Sequence, residues 1–133
     1  MNKSLLLTVA MLFSGTALAA TDHYIARDGN HVQHLKISTV GKDTNVTADV
    51  DFEPNVDEQG KHACASEITG EAKVISATEL VLKKQIPGEA RHCVVNIKLS
   101  NDGAKLQQSE DCSYFVTGIC HFSTGDKELL KIK

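Results

Sequence analysis

Four cysteines, six histidines and a run of carboxylates are the residues of this 133-residue chain with chemistry to offer. Cys64, Cys93, Cys112 and Cys120 form no C-x-x-C pair, and their spacings match no zinc module. An even count in a small exported protein reads instead as two disulfides. The expected pairing joins Cys64 to Cys93 and Cys112 to Cys120, because the seven residues between the last two are rich in turn formers and would close a hairpin. His31 and His34 are the one close histidine pair, and no carboxylate or thiolate completes a ligand motif with them. They are expected as surface residues of a strand, and no metal or cofactor is expected. Asp49, Asp51, Glu53, Asn55, Asp57 and Glu58 are spaced like calcium-loop ligands, but Pro54 stands where an EF-hand needs glycine for its sharp turn. Two readings of this stretch stay open: the solvated face of a strand running into a polar loop, or an acidic patch that docks a basic partner and speeds its association. No G-x-S-x-G elbow occurs, the cysteines are committed to disulfides, and no carboxylate pair is singled out for glycoside hydrolysis. The chain is therefore read as a binding protein and not as an enzyme.

Positioning these residues falls to strands. Val46, Ala48, Val50 and Phe52 alternate with Thr47, Asp49 and Asp51, the period-two pattern of a strand with one buried face. Cys93, Val95, Ile97 and Leu99 alternate in the same way with His92, Asn96 and Lys98, which puts Cys93 on the core side. Further strands are predicted over 23–27, 31–39, 72–77, 79–85, 105–109, 113–116, 120–123 and 128–132. Asp28-Gly29-Asn30, Gly41-Lys42-Asp43, Pro87-Gly88 and Asn101-Asp102-Gly103 punctuate them as turns. About eight strands at this spacing predict an all-β fold, a small antiparallel barrel or a two-sheet sandwich braced by the disulfides.

The first nineteen residues read as an address. Lys3 gives a positive start, Leu5 to Phe13 a short apolar run, and Ala17-Leu18-Ala19 the small-x-small pattern of signal-peptidase cleavage. The run is too short for a membrane anchor, which needs about 20 apolar residues. The expectation is a signal peptide over 1–19 and a single soluble β domain over 20–133, exported to the periplasm. The net charge of -3, from 14 Lys and Arg against 17 Asp and Glu with no basic stripe, speaks against nucleic acid as a partner.

The order Cys64, Ile68-Thr69-Gly70-Glu71-Ala72, Cys93-Val94-Val95-Asn96-Ile97, Cys112-Ser113-Tyr114-Phe115 and Cys120-His121-Phe122 resembles small exported bacterial β-barrels with four cysteines, among them the periplasmic lysozyme inhibitors. The resemblance covers about the last seventy residues. It implies a protein that blocks a cell-wall hydrolase by placing a loop with Ser-Gly and a Tyr in the active-site cleft. Here the only Ser-Gly is Ser14-Gly15, in the leader, and Thr69-Gly70 and Thr117-Gly118 are its chemical counterparts. Under this reading Tyr114 or the Thr117-Gly118 loop supplies the plug, and Asp49, Asp51, Glu53, Asp57 and Glu58 face a basic enzyme. Immunity against a secreted cell-wall toxin implies the same occlusion. A lipocalin-like carrier with a small apolar ligand inside the barrel is the alternative from another class.

Overall fold

A computed structural model of the chain describes residues 20–55, 60, 62–116 and 118–132. The leader over 1–19, and Asp57, Glu58 and Thr117, lie outside the described residues. Eight antiparallel strands close into a barrel in sequence order: β1 (Ala20–Asp28), β2 (His31–Val40), β3 (Asp43–Phe52), β4 (Cys64–Ser76), β5 (Glu79–Gln85), β6 (His92–Leu99), β7 (Gly103–Gln108) and β8 (Leu129–Ile132). A closed barrel thus decides between the two architectures left open by the sequence. Among the described residues no helix is long and apolar enough to cross a membrane.

Register follows the apolar alternation, because a slip by one residue would turn every inward side chain to solvent. Val46, Ala48, Val50 and Phe52 of β3 are buried, as are Cys93, Val95 and Ile97 of β6. Leu35, Leu82, Ile97, Leu129 and Phe122 add large side chains to the same interior cluster. Burial of each is worth about 1.5–3 kcal/mol, so the interior is the main source of stability. The hairpins β1–β2 and β2–β3 turn at Gly29 and Gly41, whose φ of 61° is open to glycine at little cost.

Two strands divide their pairing between neighbours. β4 pairs with β3 from Cys64 to Glu71 and with β5 only from Ala72 to Ser76. At the changeover, Gly70 lets Leu82 pack against bare backbone: a Cβ there would meet Leu82 Cδ1 at 3.1 Å. β8 reaches β7 at Gly103 and Ala104 and β1 at His23, Tyr24 and Ile25. Barrel closure therefore rests on one short strand.

The structure corrects several expectations. The disulfides join Cys64 to Cys120 and Cys93 to Cys112. Cys64 and Cys93 open β4 and β6, which β5 separates, so they do not face each other as neighbours. Residues 113–116 do not form a strand. A 3-10 turn, η1 (Glu110–Tyr114), takes the first two of these residues and presents Cys112 to the start of β6. Residues 120–123 run beside β7 without a strand ladder. Leu106 and Gln108 donate their N–H groups to the Thr124 and Ser123 hydroxyls, and the Phe122 N–H donates to Gln108 Oε1. The first half of β4 went unpredicted because its inward positions include Ser66 and Gly70, which break the apolar alternation.

Candidate functional site

Antiparallel up-and-down order sends alternate connections to opposite ends of the barrel. One end carries the tight turns 41–42, 77–78 and 100–102; the other carries 29–30 and the three long connections 53–63, 86–91 and 109–128. Both disulfides lie at the long-loop end. Cys112 is tied to Cys93 on β6, and Cys120 is tied to Cys64 on β4. The segment between Cys112 and Cys120 is thereby anchored at each end to a different strand of the wall. Cys93, Cys112 and Cys120 are fully buried, whereas Tyr114 is 60 % and Ile119 44 % exposed. Tyr114 and Phe115 pack edge to face with ring centroids 5.0 Å apart, and Phe115 continues inward against the core. Gly118 sits exposed at a φ of 55°.

Charge pairs and side-chain hydrogen bonds hold this segment from outside. Arg91, on the neighbouring connection, donates to Glu89 Oε2 at 2.6 Å and to Asp111 Oδ1 at 3.1 Å, clasping η1 to the 86–91 loop. His31 Nε2 lies 3.0 Å from the Ile119 carbonyl, and Gln33 Nε2 donates to the His121 and Phe122 carbonyls at 3.4 and 3.3 Å. His31 and Gln33 were not singled out as site residues. Their signal was faint: a buried glutamine on a strand face that otherwise carries Leu35 and Ile37.

The predicted acidic residues are distributed differently. Asp49 and Asp51 point outward from β3, on the wall below the long loops. Asp49 is engaged by His34, whose Nδ1 is 3.0 Å from its Oδ1. Asp51 is exposed, and Glu53 is exposed at the start of the 53–63 connection, where its N–H reaches the Asn30 carbonyl at 3.4 Å. His31 and His34 face opposite sides of β2 and serve different partners. The wall carries Asp49 and Asp51 while the barrel end carries Tyr114 and Gly118, so the predicted residues form two surfaces and not one pocket.

Behind His34 lies His23 of β1, with ring centroids 5.3 Å apart. Burial is the main cause that lowers the His23 pKa below 6.5; the charges of His34 and Lys36 add to it and Asp49 opposes it. Its Nε2 is buried without a hydrogen-bond partner among the described residues. Across the described residues no group of three or more His, Cys, Asp or Glu is arranged to hold a metal ion. The arrangement presents the exposed Tyr114 and Ile119 side chains at one end of the barrel. Comparison with family models, with curated proteins and with solved structures finds no match for this chain.

Proposed function

We propose that this chain is a periplasmic protein that inhibits a peptidoglycan hydrolase by filling its active-site cleft with the segment between Cys112 and Cys120. The observation that carries the reading is the double anchoring of that segment to β4 and β6, with Tyr114 held outward at its start. A loop fixed before it binds loses little conformational entropy on binding, which favours affinity. An aromatic side chain with two rotatable bonds brings large contact area at small entropic cost, and such residues dominate binding energy at interfaces. Asp51 and Glu53, exposed on the adjoining wall and rim, supply charge that steers a basic enzyme toward this end. Toxin immunity uses the same occlusion and differs only in the enzyme blocked. A small-ligand carrier needs interior space, and the barrel interior is packed with Leu35, Val46, Leu82, Val95, Ile97 and Phe122.

The experiment adds the oxidised protein, without residues 1–19, to c-, g- and i-type lysozymes in a cell-wall turbidity assay, with calorimetry on any that slow. Stoichiometric inhibition of one class is expected. Tyr114→Ala should weaken that inhibition at least tenfold, the scale of a truncated hot spot. Inhibition of no class overturns the lysozyme target, and a pull-down against secreted cell-wall toxins then tests the immunity form of the same mechanism.

A further inference from the structure

His23 on β1 and His34 on β2 share the outer face of the barrel, since Tyr24 and Leu35 beside them turn inward. In the β1–β2 ladder His34 stands opposite Ile25 and His23 opposite Lys36, so the two histidines are diagonal neighbours, with ring centroids 5.3 Å apart. The close partner that the sequence offers His34 is His31; the strand register gives it His23 instead.

Each ring has one nitrogen to spare. His34 Nδ1 lies 3.0 Å from Asp49 Oδ1 on β3, and β3 and β1 flank β2 on opposite sides. With its Nδ1–H given to Asp49, the Nε2 lone pair of His34 is directed away from β3, toward β1 and His23. A carboxylate that holds the far nitrogen of an imidazole is the usual support of a metal-ligating histidine. His23 Nε2 is buried and has no hydrogen-bond partner among the described residues. A buried polar atom left so calls for an explanation, and a bound ion is one that satisfies it. The spacing suits an ion: with about 2.0–2.1 Å from zinc to each nitrogen and a near-tetrahedral angle, two ligating imidazoles place their ring centres about 5 Å apart. Of the charged side chains here, Lys36 opposite His23 disfavours a cation and Asp49 beside His34 favours it.

We infer that His23 and His34 form a binding site for a divalent transition-metal ion that prefers imidazole, of which zinc is the type, with Asp49 orienting His34 from behind. It is a two-ligand site: among the described residues no third His, Cys, Asp or Glu is grouped with the pair to hold a metal, so water fills the other positions of the ion. The ion enters from solvent past His34, whose side chain is 29 % exposed. The site lies on the wall formed by β1, β2 and β3 and stands independently of the inhibitor reading.

The test titrates zinc chloride into the oxidised, 15N-labelled protein without residues 1–19, stripped of metal with EDTA and returned to chelator-free buffer, and follows the imidazole nitrogens by NMR beside calorimetry. One equivalent is expected to bind, with the His23 and His34 Nε2 resonances moving to metal-bound positions while those of His31, His62, His92 and His121 stay in place. His34→Gln should weaken binding by about tenfold or more, Asp49→Asn by about tenfold, the scale of a lost outer partner, and His31→Gln not at all. His23→Gln should weaken it as His34→Gln does; it removes a half-buried ring, so its fold is checked by circular dichroism, and His34→Gln carries the test if that variant does not fold. Zinc held by the other histidines, undiminished binding in His34→Gln, or an unmoved His23 Nε2 resonance overturns the proposal. So does the absence of saturable binding.

Discussion

Single residues decide how this barrel answers to pH. Because His23 has a lowered pKa in the folded protein, the unfolded chain takes up the proton first as pH falls below 6.5. The stabilisation from neutral, half-buried His23 is complete above that value and is lost as pH drops through the folded pKa. Urea unfolding at a series of pH values should show stability declining through that acid window, and His23→Gln should flatten the decline. Asp28 has the opposite chemistry and the same sign: the Lys127 hydrogen bond lowers its pKa below 3.8, so its contribution disappears only in stronger acid. A different residue-scale prediction concerns Ser66, whose Oγ is buried with no partner among the described residues. An unsatisfied hydroxyl in an apolar interior is costly, so Ser66→Ala should raise the unfolding free energy by about 0.5–1 kcal/mol. A loss of stability on that change would show that the hydroxyl is satisfied after all.

Among the elements, the 109–128 connection carries the greatest consequence. Had Cys112 paired with Cys120, this connection would have held a local hairpin free to swing. Paired to β6 and β4, the two cysteines fix its position relative to the barrel wall. The loop-entropy model ties stabilisation to the length of chain enclosed, and the separations are 19 and 56 residues. Replacing Cys93 and Cys112 together by Ala should then cost about 3 kcal/mol, and replacing Cys64 and Cys120 together about 4 kcal/mol, read from denaturant midpoints. Tyr114→Ala should change stability by less than about 0.5 kcal/mol, since the side chain is largely exposed. Loss of inhibition without loss of stability would place Tyr114 in binding; equal losses would make it structural. The spacing of Cys112 and Cys120 was visible in the sequence, but their partners depend on which strands are neighbours, and no local pattern encodes that.

At the scale of the molecule, closure depends on β8, which is four residues long and divides its pairs between β7 and β1. Leu129, fully buried, is its one inward anchor. Leu129→Ala should cost about 2–5 kcal/mol, the range of a cavity in a packed core, and the amides of Ile25 and Ala104 should exchange faster than those of β2 and β3. Unchanged exchange at the β1–β8 seam would show that closure has other support. The all-β class, the inward faces of β3 and β6 and the turns at Gly29 and Gly41 were legible in the sequence, because alternation of period two and glycine turn chemistry are local properties. Residues 113–116 and 120–123 misled for the same reason: their apolar content is real, and it is satisfied by packing of Phe115, Val116 and Phe122 against the interior without a ladder. The sequence by itself determined that this is a disulfide-braced β protein with Cys93 turned inward. Only the tertiary structure decided that the barrel closes, which cysteines meet, and that Tyr114 and the acidic wall are separate surfaces, because each depends on contacts between strands far apart in the chain.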